Sequence, residues 1–359
     1  MTEPSSSARG SNFSRSAQLR RPSRLLAAVA LFGAAAAPAP LAPSPINAAM
    51  TGDLVPTHDP VMIKEGDTFY VLGTGKDRGS GRYITVRTSK DLIHWTLQGG
   101  LFTDLPDWSR SVVPGAQDFW APDVHYFNGQ YYLYYALSTF GSNHSAIGLY
   151  TSPTLDPHSQ NYRWTDQGLV VRSTEQDDFN AIDPNHFIDR NGRHWLALGS
   201  FWSGIKLFAL NPKTGKLLDP NEKPIALAKR LAPAGAAAPI EAPYLFEHAG
   251  YYYLLASYDY CCKGANSTYY TVVGRSKDVQ GPYLGEDGSR MLDGQGTVIL
   301  KADLKEQQRF RGPGHPAFLS DGGTDYIIYH AYDKEHGGAP SLRISPISWT
   351  RDGWPRASL

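Results

Sequence analysis

From residue 53 onward the chain alternates short aromatic and β-branched runs with glycine-centred turns, and one such pattern recurs five times. Each copy opens on a proline, runs through apolar residues to a turn carrying glycine, and resumes as a strand rich in Tyr or Trp. Asp59-Pro60 leads to Phe69-Tyr70-Val71-Leu72, and Ala121-Pro122 to Tyr131-Tyr132-Leu133-Tyr134-Tyr135. Asp183-Pro184 leads to His194-Trp195-Leu196-Ala197, Ala242-Pro243 to Tyr251-Tyr252-Tyr253-Leu254-Leu255, and His315-Pro316 to Tyr326-Ile327-Ile328-Tyr329. From each proline to the aromatic Tyr70, Tyr132, Trp195, Tyr253 or Tyr326 the offsets are 10, 10, 11, 10 and 10, and successive prolines lie 62, 62, 59 and 73 residues apart. The turn glycines are Gly66, Gly129, Gly192, Gly250 and Gly323.

Two runs joined by such a turn predict a hairpin. Further strand-like runs follow, among them Tyr83–Val86, Ala146–Tyr150 and Tyr269–Val273. About 60 residues per copy supplies roughly four strands, one blade of a propeller. The prediction is an all-β, five-bladed β-propeller with roughly four antiparallel strands per blade, a single domain over 50–359. A β-sandwich of duplicated hairpins is the alternative, but a fivefold repeat favours radial closure.

Residues 1–49 read differently. Arg9, Arg15, Arg20, Arg21 and Arg24 face a single acid, Glu3; an apolar run spans 25–37, and a small-residue stretch ends at Asn47-Ala48-Ala49. That order is the pattern of a secretory signal peptide, so the mature protein is expected outside the cell or in the periplasm, with no membrane anchor. The full chain has 34 Lys+Arg against 34 Asp+Glu; without 1–49 it has 29 against 33, a net charge of −4. A nucleic-acid partner would call for a basic excess. The two cysteines, adjacent at 261 and 262, exclude a disulfide-stapled scaffold and a CxxC zinc site.

Polar groups gather beside the repeated proline: Asp59, Asp123, Asp183, Glu241 and His315. An Asp before Pro commonly makes a turn, but charges at one repeat position of inner strands are costly unless paired or functional. Radial geometry would bring them around one axis, where crowding pushes carboxyl pKa values apart and lets an acid and a base coexist. Glycoside hydrolysis needs two such carboxyls and no organic cofactor. Phe119, Trp120, Phe201 and Trp202 offer flat faces to a sugar, with core packing as the competing role. His58, Asn180, Asn185, Ser200 and Ser257 are candidates for hydrogen bonds to sugar hydroxyls.

Six segments, in order and in register with the repeat, resemble glycoside hydrolase family 43, and within it the secreted endo-1,5-α-L-arabinanases. They are Thr57-His58-Asp59-Pro60, Phe119-Trp120-Ala121-Pro122-Asp123-Val124, Ala181-Ile182-Asp183-Pro184-Asn185, Ile240-Glu241-Ala242-Pro243-Tyr244, Cys261-Cys262-Lys263-Gly264 with Asn266–Tyr270, and Gly312-Pro313-Gly314-His315. The resemblance implies hydrolysis of arabinan with inversion, Asp59 as general base, Glu241 as general acid, and Asp183 tuning and orienting the acid. It also implies that His315 helps hold a calcium or similar ion, mostly through water; read alone, His315 serves equally as a core or hydrogen-bonding residue. Cys261 and Cys262 are either a vicinal disulfide near the cleft or two free thiols. The protein is expected to act as a monomer on polysaccharide. Rival readings are an exo-acting α-L-arabinofuranosidase or β-xylosidase of the same family, a retaining fructan hydrolase, and a non-catalytic sugar-binding propeller. A lectin would repeat its binding residues in every copy, whereas these acids differ from copy to copy.

Overall fold

The computed structural model describes residues 44–233, 236–302 and 308–359. The chain enters through a short helix, α1 (Pro45–Ala49), and β1 (Thr51–Gly52). Blade one follows as β2 (His58–Glu65), β3 (Thr68–Lys76), β4 (Tyr83–Ser89) and β5 (His94–Phe102), with β1 added in parallel at its outer edge. Blade two is β6 (Trp120–Phe127), β7 (Gln130–Leu137), β8 (Ser145–Ser152) and β9 (Thr165–Ser173). Blade three is β10 (Asn185–Ile188), β11 (His194–Leu198), β12 (Ile205–Leu210) and β13 (Ile225–Ala228). Blade four is β14 (Ile240–His248), β15 (Tyr251–Tyr258), β16 (Tyr270–Ser276) and β17 (Thr297–Leu300). Blade five has three strands, β18 (Phe310–Asp321), β19 (Thr324–Asp333) and β20 (Ala339–Pro346). The first strands touch in cyclic order, β2 to β6, β10, β14, β18 and back to β2. This is the closed five-bladed propeller that the repeat predicts.

The β6–β7 hairpin turns on Asn128-Gly129, both at positive φ (49° and 74°), the two-residue geometry that matches strand twist. The opposite end of each first strand carries a different device. Proline lacks the N–H that a ladder needs, and the residue before it, Asp59, Ala121, Asp183, Ala242 or His315, sits at φ between 45° and 56° in all five blades. The strand register shifts across this pair in β2, β6, β14 and β18, and β10 begins directly after Pro184. Left-handed backbone costs a non-glycine residue about 1–2 kcal/mol. What it achieves is a bulge that re-aims side chains at the mouth of the channel.

The domain begins earlier than expected, because Ser44–Met50 is built into the fold rather than belonging to a detached leader that ends at Ala49. Buried Asn47 donates to Tyr329 Oη (3.1 Å) and Ser345 Oγ (2.9 Å), and its side-chain oxygen accepts from the Ile344 amide (2.7 Å). Residues 51–57 then lace the last blade to the first. The Thr51 and Asp53 amides donate to Ile93 and Trp95 carbonyls, and the Leu342 and Thr57 amides to Leu54 and Pro340 carbonyls. Buried Arg87 pins this bridge by donating to the Asp53 and Pro56 carbonyls. The rest of the expected leader, 1–43, lies outside the described residues. Among the described residues no helix is long and apolar enough to cross a membrane.

Candidate active site

The bulge at the head of β2 presents Asp59 to the hub. Its Oδ1 lies 2.8 Å from His58 Nδ1 and 3.0 Å from His315 Nδ1, and Thr74 Oγ1 donates to its Oδ2 at 2.7 Å. Burial alone would raise the Asp59 pKa, but the two imidazoles outweigh it and hold the carboxyl well below its ordinary range. His315 responds in the opposite sense. Burial disfavours its charge, yet the attraction of Asp59 pushes it up to about 9.

Glu241 lies one residue before the bulge residue of blade four. Its Oε1 accepts from Tyr269 Oη (2.8 Å) and its Oε2 from Ser200 Oγ (2.9 Å). Asp183, at the bulge of blade three, accepts the Ala242 amide on Oδ2 at 3.0 Å and so ties itself to the residue after Glu241. Burial raises the pKa of both Asp183 and Glu241. Mutual repulsion with the neighbouring carboxylates adds to the shift, while His315 and, for Glu241, the Tyr269 and Ser200 hydrogen bonds moderate it. The hub therefore lowers the pKa of one carboxyl and raises those of two others, the direction of separation that lets a base and an acid work in one site.

The other expected site residues divide. Phe201 and Trp202, on the β11–β12 loop, occupy consecutive left-handed positions (φ 51° and 34°), and Trp202 is exposed; adjacent strained residues of this kind cluster at functional sites. Trp120 is half-buried. His58 sits against Asp59 and bonds Tyr332 Oη through Nε2 (3.0 Å), and Ser200 bonds Glu241. Three expectations are corrected. Phe119 is fully buried between Phe102, Tyr83 and Tyr135, with no face left for a sugar. Asp123 lies buried at blade junctions, accepting the His186 amide (2.6 Å) and facing His125 Nε2 (3.0 Å). Ser257 is buried and its Oγ accepts the His315 amide (2.9 Å). Asn180 is buried, and its side-chain oxygen meets no hydrogen-bond partner among the described residues. Thr74, Tyr269, His330 and Tyr332 belong to the site although sequence reasoning passed over them.

Cys261 and Cys262 are joined as a vicinal disulfide. The Cys262 amide donates to Tyr332 Oη (2.8 Å), and its Sγ lies 3.9 Å from His58 Nε2, so the pair borders the histidine that bonds Asp59. His58, Asp59 and His330 bring ligand atoms within 4.8 Å of one another. A cation among them would have to displace the His58–Asp59 bond and the Asp59 amide, which donates to His330 Nδ1. His315, bonded to Asp59 through Nδ1, would have to give up the proton on its second nitrogen to serve as a ligand, and an oxygen-seeking ion such as calcium would complete its shell largely with water there.

Comparison with known proteins places this geometry. The family model for glycosyl hydrolases family 43 matches residues 55–355. The chain is 44% identical over 299 residues to the extracellular endo-alpha-(1->5)-L-arabinanase 1 of Bacillus subtilis (strain 168), covering 83% of this chain and 86% of that protein. It is 41% identical over 310 residues to the extracellular exo-alpha-(1->5)-L-arabinofuranosidase ArbA of Cellvibrio japonicus (strain Ueda107), covering 84% and 86%. Among solved structures, a Cellvibrio cellulosa alpha-L-arabinanase complexed with arabinohexaose aligns with a TM-score of 0.79 at 38% identity, over 85% of this chain and 96% of that one. With the family match running through all five blades and its carboxylates meeting at their hub, the chain belongs to glycoside hydrolase family 43.

Proposed function

We propose that this protein is an exported, monomeric, inverting endo-arabinanase that hydrolyses internal α-1,5-linked L-arabinofuranosyl bonds. The observation that carries the reading is the hub itself, where two imidazoles on the Asp59 carboxyl lower its pKa while burial raises that of Glu241. Asp59 takes a proton from water as its oxygen bonds to the anomeric carbon. The glycosidic C–O bond breaks, and the departing oxygen takes the proton of Glu241. Inversion requires the two carboxyls to stand about 6.5–9.5 Å apart, with the water on the far face of the ring. Asp183 orients the acid through the Ala242 amide. Phe201 and Trp202 would pack on sugar faces. A calcium ion carried through water at His315 would add positive charge to the hub.

The relatives named above support arabinan as substrate and export as destination. The 41% identity to an exo-acting enzyme favours end-on attack as the second reading. Digestion of linear and debranched arabinan with sizing of early products separates the two. A ladder of short oligomers is expected; monosaccharide or a single short oligomer from the outset would establish exo action.

A further inference from the structure

We infer that His330 is the positioning residue of Asp59, holding the base in its left-handed turn by accepting its backbone N–H on Nδ1. The inference rests on the reading of Asp59 as the base. The Asp59 nitrogen lies 3.2 Å from His330 Nδ1. The ring is wholly buried and cannot swing, lying between His58 (centroids 4.1 Å apart, planes 23° apart) and Tyr269 (5.9 Å, 24°).

The repeat supplies independent support. His330 stands four residues after the repeat aromatic Tyr326, as Thr74 does after Tyr70 and Ser257 after Tyr253. Thr74 Oγ1 accepts the Ala121 amide (2.7 Å) and Ser257 Oγ the His315 amide (2.9 Å). In each case the second strand of one blade captures the left-handed amide of the next. Ala136 and Gly199 occupy this place in blades two and three and carry no acceptor; Asp183 takes the Ala242 amide in compensation. His330 makes the same stitch across the seam where the ring closes.

A backbone N–H must meet a lone pair, so Nδ1 is unprotonated and the ring proton sits on Nε2. The 3.8 Å separation of His330 Nδ1 from Asp59 Oδ1 is therefore not an ion pair, and His330 acts on the backbone of the base rather than on its carboxylate. Burial, reinforced by repulsion from His58, favours this neutral ring. Nε2 meets no polar partner among the described residues, whereas the hydroxyls at the equivalent places carry no such buried N–H.

The test compares His330→Asn, whose side-chain oxygen can occupy the place of Nδ1, with His330→Leu and with Asp59→Asn, reading kcat and KM on arabino-oligosaccharides and the thermal midpoint of each variant. His330→Leu is expected to lose about 100-fold in kcat with KM changed less than about threefold, the signature of a displaced reacting group. His330→Asn should stay within about fivefold of the parent. If His330→Leu fails to fold, His330→Gln, which puts its amide at the place of Nε2, replaces it; kcat at least about tenfold below that of His330→Asn supports the stitch, and equal kcat overturns it. Full kcat in folded His330→Leu alongside an inactive Asp59→Asn overturns the positioning role and leaves the base assignment standing. Near-normal turnover by Asp59→Asn overturns that assignment and this inference with it.

Discussion

Asp59 and Glu241 bear the same functional group and are driven apart by surroundings alone. The proposed reaction requires the first ionised and the second protonated. The depressed pKa of Asp59 therefore moves the acid limb of the pH–rate profile below the ordinary carboxylate range, and the raised pKa of Glu241 moves the alkaline limb above it. Glu241→Gln should lower kcat by about 10²–10⁴-fold and abolish the alkaline limb; a surviving limb of unchanged position would assign it to another group. Asp59→Asn and Asp183→Asn should fall in the same range, and a better leaving group should partly restore Glu241→Gln but not Asp59→Asn. The carboxylates were legible because each sits beside a repeated proline. Phe119 was misread because adjacency to an acid does not say which way a ring points. Its neighbours Phe102 and Tyr83 come from blade one, 17 and 36 residues earlier, and only packing puts them around it.

At the scale of the element, the hairpins and their glycine turns could be read from alternation, but the bulges could not. A residue before proline ordinarily takes extended backbone, whereas here it is left-handed in every blade. In four blades the amide it turns aside is captured by a side chain from the neighbouring blade, and no local pattern announces that partner. Ser257→Ala removes one such partner at a fully buried site and should cost about 1–3 kcal/mol, the penalty of an orphaned buried amide. Urea unfolding measures it; a loss below about 0.5 kcal/mol would mean that the stitch contributes little.

For the whole molecule, the number of blades followed from counting copies, while the way the ring closes did not. Asn47-Ala48-Ala49 looks like the end of a leader, yet Ser44 caps α1 by accepting the Asn47 amide (3.3 Å), with Pro45 in its first turn. That serine–proline start is a helix signal in its own right. Any processed form of the protein should therefore begin at or before Ser44, as intact-mass analysis would show; a mature form starting at Met50 would contradict it. Asn47→Ala should cost about 1–3 kcal/mol by stranding the Ile344 amide, without altering kcat, because Asn47 bonds the fifth blade rather than the hub.

The stereochemistry of the first product tests the central claim most directly. Proton NMR of a linear α-1,5-arabino-oligosaccharide during the opening minutes of hydrolysis should show the new reducing end in the β configuration, relaxing to the equilibrium mixture afterwards. A product that appears first as the α anomer would mean that a carboxylate attacks the sugar itself. Asp59 would then not be the base that activates water opposite Glu241.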